Sequence, residues 1–197
     1  MALDMTTLAR VKVLAQGIGS DTDYDTEIDR WIDQISAAAE KYMNRVALAA
    51  AQTEYFDIRN GQRVFFVRAV PVTTWTAVNN DTDRSFGSDT VVDSSGYATT
   101  DDIGKVEFDG FDPVFGPKAL KITYTGGMAA DVTAFVAAFP DIAGAVDAQC
   151  AHLHQQRMSI GRTSVLADGA SVSVDDPTKW LPVLRNALNA HRRLGRG

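Results

Sequence analysis

The chain has 197 residues, 45% hydrophobic and 22% charged, a balance that excludes wholesale disorder and allows a buried core without disulfide staples. Its 25 acidic against 19 basic residues give a formal net charge of −6, which argues against a body that grips nucleic acid through phosphates, and a lone Cys150 excludes an internal disulfide. No apolar run reaches the roughly 20 residues of a membrane span, and Met1 to Val11 lack a basic start followed by an apolar stretch, so a soluble, non-exported protein is predicted.

In chain order, Leu8, Val11 and Leu14 follow the cap-forming Thr6 and Thr7 and precede Gly17 and Gly19, which predicts a first helix over 7–16. Ile28, Trp31, Ile32, Ile35, Ala38, Ala39 and Tyr42 then draw an apolar stripe, predicting a second helix over 24–43. Its acidic start, Asp23, Asp25 and Glu27, suits the positive end of a helix dipole.

From residue 53 the period becomes strand-like, and an inserted antiparallel β region is predicted over 53–125. Thr53 to Ile58 and Arg63 to Arg68 flank Asn60-Gly61, a dipeptide suited to a tight hairpin turn. Val70-Pro71-Val72 forces an extended kink before a third strand, Thr73 to Asn79. Asn80 to Asp112 holds nine acids against Arg84 and Lys105 and reads as an exposed excursion with short hairpin strands. Lys118 to Thr125 alternates sharply and stops at Gly126-Gly127, a return strand of the same sheet.

Helical spacing resumes over 131–139 and 141–160, the second carrying Ile142, Val146, Cys150 and Leu153. Residues 1–163 therefore form the body. A flexible Ser, Asp and Val linker spans 164–176, and Asp176-Pro177 offers a cap for a basic terminal helix over 177–197. Pro182 requires that helix to start near Leu181 or to bend. Residues 182–197 hold Arg185, Arg192, Arg193 and Arg196 and no acid, so the charge of the chain is strongly segregated. The fold class is α+β, mainly a helical bundle with an inserted antiparallel β-hairpin or sheet region and a protruding C-terminal helix.

Candidate chemistry is sparse. Asp147, Cys150 and His154 share one helical face at i, i+3 and i+7, the spacing of a metal site or a small metal-dependent hydrolase, but a buried small hydrophobe beside a core stripe explains the same residues. Asp21-x-Asp23-x-Asp25 and Asp81-x-Asp83-x-Ser85 begin like calcium loops, yet Thr26 and Phe86 stand where glycine is required, and Ile32 and Val92 where a bidentate glutamate is required. Gly17-x-Gly19 lacks the rest of a phosphate loop. Arg185, His191, Arg192, Arg193 and Arg196 could touch phosphate as a DNA-binding module, or complement a helix dipole, or dock on an acidic partner.

The order of these features carries a resemblance. Two N-terminal helices, the stretch Tyr55-Phe56-Asp57-Ile58-Arg59-Asn60-Gly61-Gln62-Arg63-Val64, the segment Val70-Pro71-Val72-Thr73, the strand ending Ile122-Thr123-Tyr124-Thr125-Gly126-Gly127, a Pro140-led helix ending in Arg157 and a basic end His191-Arg192-Arg193 resemble the head-to-tail connector (adaptor, or head-completion) proteins of tailed phages. The likeness covers nearly the whole chain, apart from the acidic excursion 80–117 and the segment 131–139. It implies a non-enzymatic part of the virion neck, made in the bacterial host cytoplasm, without cofactor or metal and without membrane contact. It further implies a homo-oligomeric ring of about twelve copies under the portal protein, meeting the next neck, stopper or tail protein and passing DNA without specific binding. Carried over to this chain, the portal-binding residues are Trp180, Leu184, Arg185, Leu188, Arg192, Arg193 and Leu194. Deleting residues 182–197 should then leave a folded body that cannot attach.

Overall fold

The computed structural model describes residues 4–15, 21–110, 112–157, 164–167, 170–173 and 179–193. In chain order the elements are α1 (Leu8–Leu14), α2 (Asp25–Met43), β1 (Ala50–Ile58), β2 (Val64–Phe66), β3 (Val72–Asn80), β4 (Tyr97–Thr100), β5 (Lys105–Phe108), β6 (Gly116–Gly126), α3 (Val132–Ala138), α4 (Pro140–Gln156), β7 (Ser164–Ala167), β8 (Ala170–Ser173) and α5 (Pro182–His191). They divide into two compact units, one of residues Met1–Asn44 with Val132–Gly197, the other Arg45–Asp131. The fold is mixed α and β. The expectation of a mainly helical bundle understates the strands, which build two three-stranded antiparallel sheets.

In the first unit, the α2 stripe is buried as its spacing demands: Ile28, Trp31, Ile32, Ile35, Ala39 and Met43 all lie in the core. The helix stops at Asn44, whose left-handed φ of 52° is a conformation that asparagine tolerates better than most residues, and whose N–H returns to the Glu40 carbonyl. Pro140 occupies the first position of α4, where its missing N–H costs nothing. α4 packs against α1, α2, α3 and α5. Pro182 likewise opens α5 instead of bending it, which resolves the awkwardness of a proline inside the predicted 177–197 helix.

The expected protruding C-terminal helix is docked. Leu184 and Leu188 are fully buried, and α5 packs on α4 and α2. A ten-residue helix is too short to hold together alone in water, so burying its apolar stripe is what makes it a helix. Within the predicted linker, β7 and β8 pair in register from Ser164↔Ser173 to Ala167↔Ala170. Gly17 and Gly19, the Asp176-Pro177 cap, and the end of the predicted 141–160 helix beyond Arg157 lie outside the described residues. No described helix is long and apolar enough to cross a membrane.

In the second unit, β6 is the central strand of the sheet β1-β6-β3 and β5 is central to β2-β5-β4. Ile58, Phe65, Val67, Val78, Val106, Phe108, Leu120, Ile122 and Tyr124 form its core. Tyr124 donates its hydroxyl proton to Glu54 and accepts the Ala69 N–H at 2.9 Å, so burial leaves no polar atom of this ring unpaired. Burial, and then the Glu54 hydrogen bond, hold its phenol well above the usual range. The return strand is found as expected. Gly127 lies so close to Ala49 that an added Cβ would sit 2.5 Å from the Ala49 nitrogen, which explains the glycine pair at the end of β6.

Two expectations, one about strand pairing and one about exposure, are corrected. Asn60-Gly61 does form a turn, with Gly61 at φ 76°, but β1 and β2 do not pair across it: β1 pairs with β6 and β2 with β5. The nine residues of β1 match the eleven of β6, whereas β2 has three, and the longer ladder satisfies more backbone groups. The excursion 80–117 is only partly exposed. Within β5, Val106 and Phe108 are buried while Lys105 and Glu107 face outward, so alternation hides two apolar anchors in an acidic stretch.

Trp31 retains 5% exposure, so Trp31→Ala is expected to lower stability by about 3–5 kcal/mol in urea unfolding followed by circular dichroism; a loss below about 1 kcal/mol would contradict the burial.

Candidate functional site

The approach to α5 is fixed by one buried amide. Gln149, on α4, accepts the Leu181 N–H at 2.7 Å and donates to the Lys179 carbonyl at 3.4 Å, so both ends of its side chain hold the 179–181 segment. Beside it the Trp180 ring meets Tyr42 edge-on, with centroids 5.2 Å apart. Tyr42 donates to Asn189 Oδ1 at 2.6 Å, and the Arg192 guanidinium lies 5.1 Å from the centre of the same ring. At the helix end, the Arg193 N–H donates to the Met43 carbonyl at 2.8 Å. His191 Nε2 stands 2.8 Å from Asp141 Oδ2, and the ring rests edge-on against Phe139. Burial pushes the Asp141 carboxyl up, but the His191 hydrogen bond, the Ile142 N–H, the His191 charge and its own N–H together bring it below 3.8.

These contacts sort the expected docking residues. Leu184 and Leu188 are core residues of their own unit. Trp180, Arg192 and the Arg193 backbone lock α5 onto the C-terminal end of α2, Arg185 is exposed, and Leu194 and Arg196 lie outside the described residues. Sequence reasoning did not give Gln149, Asp141 or Tyr42 a role here. Tyr42 was visible only as the last member of the α2 stripe, and nothing in the sequence marks Gln149 as a clamp.

The hydrolase candidate does not form a reactive group. Asp147, Cys150 and His154 are all buried on α4, and Asp147 and the Nε2 of His154 already have partners. Asp147 Oδ1 accepts from Thr6 Oγ1, and its Oδ2 accepts both Arg10 Nε at 3.0 Å and Arg10 Nη2 at 2.7 Å, contacts that compensate its burial. Burial, with Asp147 adding to it, pushes the Cys150 thiol up to about 12, the opposite of what a nucleophile needs. His154 meets Tyr24 and Trp31 edge-on, and its Nε2 lies 3.1 Å from Arg157 Nη1, a donor, so Nε2 acts as acceptor. Among the described residues no three His, Cys, Asp or Glu side chains come together as a metal site.

The calcium-like stretches have local explanations too. Asp81 accepts from the N–H groups of Asp83, Ser85 and Phe86 and from Ser85 Oγ, and these hydrogen bonds, Phe86 first, hold its carboxyl below the usual range. Lys12 Nζ contacts the Asp21 carbonyl at 2.5 Å and Asp25 Oδ1 at 2.7 Å, tying α1 to the acidic start of α2.

No family model and no curated protein matches this sequence. Solved structures do. The chain is similar to one described as the virion of a native gene transfer agent (GTA) particle, with TM-score 0.65 and 18% identity over 96% of this chain and 91% of that one. The neck of an empty GTA particle, computed with C6 symmetry, gives the same values. The neck of a native GTA particle, computed with C12 symmetry, gives TM-score 0.53 and 16% identity over 100% and 98%. At these identities the shared property is the fold, and it is shared from end to end.

Burial, and then the Arg157 charge, lower the His154 pKa from 6.5. The folded state thus binds its proton less readily than the unfolded chain, so stability is fully present above about pH 6.5 and is lost as pH falls. The urea midpoint of the wild-type protein is expected to drop between pH 7.5 and 5.5 by more than that of His154→Gln; equal drops would contradict this assignment.

Proposed function

We propose that the chain is a structural subunit of the neck of a tailed phage or phage-like particle, acting by assembly and not by catalysis. Copies form a ring under the portal protein, about twelve as the resemblance to the connector family implies, continuing the DNA channel and receiving the next neck, stopper or tail protein. The observation that carries this is the end-to-end fold likeness to neck chains of GTA particles. It agrees with the resemblance in motif order. The fate of the hydrolase residues also supports it, since Asp147, Cys150 and His154 serve packing and charge compensation.

Charge fits the role. With 25 acids against 19 bases, walls of this composition repel phosphate, so a duplex slides past without being gripped. The basic end is the portal-facing element, residues 177–197, joined through 164–176. Leu184 and Leu188 hold α5 in place, and Trp180, Arg185, Arg192, Arg193 and Leu194 make the contact. In this reading the protein is made in the bacterial host cytoplasm and resides in the virion neck.

The buried leucines change how the reading is tested. Removing 182–197 would strip Leu184 and Leu188 from the core at about 2–5 kcal/mol each, so failure to attach could reflect unfolding. Reversal of an exposed charge avoids this. Arg185→Glu is expected to leave thermal unfolding within a few degrees of wild type and to prevent joining of heads to tails, scored by negative-stain microscopy of particles. Normal joining with the charge-reversed protein would overturn the docking role. A chain absent from purified particles would overturn the neck assignment itself.

A further inference from the structure

His154 is only 3% exposed, yet its Nδ1 is buried with no hydrogen-bond partner. The other ring nitrogen explains this. Nε2 lies 3.1 Å from Arg157 Nη1, which can only donate, so the neutral ring carries its proton on Nδ1, where nothing accepts it. The contact with Arg157 therefore costs the ring one unpaired donor.

Arg157 folds back over the C-terminal end of α4. Its Nη1 also donates to the His154 carbonyl at 2.8 Å, one of the open carbonyls of the last turn, and its guanidinium stands 4.5 Å from the centre of the Tyr24 ring. Tyr24 stands at the start of α2, where its carbonyl accepts the N–H groups of Glu27 and Ile28. One side chain thus ties the end of α4 to the start of α2.

Few charges bear on the imidazole. Arg157 comes from its own helix and Glu27 from α2, while Tyr24 and Trp31, which meet the ring edge-on, bring a phenol and an indole. Arg10 and Lys12 of α1 are turned to Asp147 and Asp25, and α3 has no titratable side chain. On α5, Arg185 is exposed and His191 pairs with Asp141 at the opposite end of α4. Burial and Arg157 oppose the protonated ring, and Glu27 favours it, so removing Arg157 from the ring leaves a compensating charge already in place.

We infer that Arg157 is a pH-operated latch: neutral His154 holds its guanidinium over Tyr24, and protonation of Nε2 drives it out. A proton taken up at Nε2 sets a donor against a donor and brings two positive charges together at 3.1 Å. The guanidinium then swings into solvent, and the imidazolium keeps Glu27 as its counter-charge. Release undoes the tie between the end of α4 and the start of α2 while both helices keep their buried stripes. The latch works within one chain, whether or not copies assemble into a ring.

The test is a pH titration of the full-length, 15N-labelled chain by NMR, following the His154 ring nitrogens together with the Arg157 Nε–H, which is identified by its absence from Arg157→Gln. Between about pH 7.5 and 5 both are expected to move with one midpoint, below 6.5, while far-ultraviolet circular dichroism stays constant. In His154→Gln, whose amide oxygen can still accept from Arg157 but does not titrate, the Arg157 signal is expected to stay still. Arg157→Gln is expected to raise the His154 midpoint toward 6.5, and Glu27→Gln to lower it further. An Arg157 signal that ignores the His154 titration, or that moves equally in His154→Gln, would overturn the latch. Global unfolding in step with the titration would overturn it too, because the proton would then act on the whole fold and not on one side chain.

Discussion

The helical unit depends on the burial of α4 by its neighbours on several sides. Ile142, Val146 and Cys150 lie on one stripe, and Ala143, Ala145 and Ala151 widen the buried surface beyond it. α1 and α3 have seven residues each and α5 ten, all below the roughly 12–15 at which an isolated helix becomes even marginal in water. Each is a helix because α4 gives its apolar side somewhere to go. The docked α5 reflects the same constraint: a stripe built from Leu184 and Leu188 cannot project into solvent and remain a helix.

Polar groups buried along α4 give this packing its register. Asp147 faces Thr6 and Arg10 from the α1 end of the chain, and Gln149 faces the backbone of residues 179–181. Breaking either contact would leave a buried polar group unpaired, which costs far more than its pairing contributes. Apolar burial makes α4 the centre, and these two side chains decide where along it the chain termini attach. Asp147, which shares a helical face with Cys150 and His154, is therefore a positioning residue in three dimensions.

The β unit shows how far local signals reach. The alternation of Lys118 to Thr125 was legible because one face of β6 is buried and the other is not. The turn at Asn60-Gly61 was legible because Gly61 needs a positive φ. The strand pairing on either side of that turn was not legible, since reversing direction does not choose a partner: β1 found β6, about sixty residues away, and β2 found β5 inside an acidic stretch whose composition hid Val106 and Phe108.

By itself the sequence determined the helices α2 and α4, the central strand β6, the glycine pair that closes it and the segregation of charge toward the C-terminal end. These arise from period, backbone freedom and composition, which are properties of neighbouring residues. Only the tertiary structure decided that Leu184 and Leu188 face inward, that Gln149 and Tyr42 hold α5, and that Asp147 answers Arg10. Those outcomes depend on which distant surfaces meet, because an apolar stripe or an arginine is equally ready to serve a partner or its own core until packing assigns it.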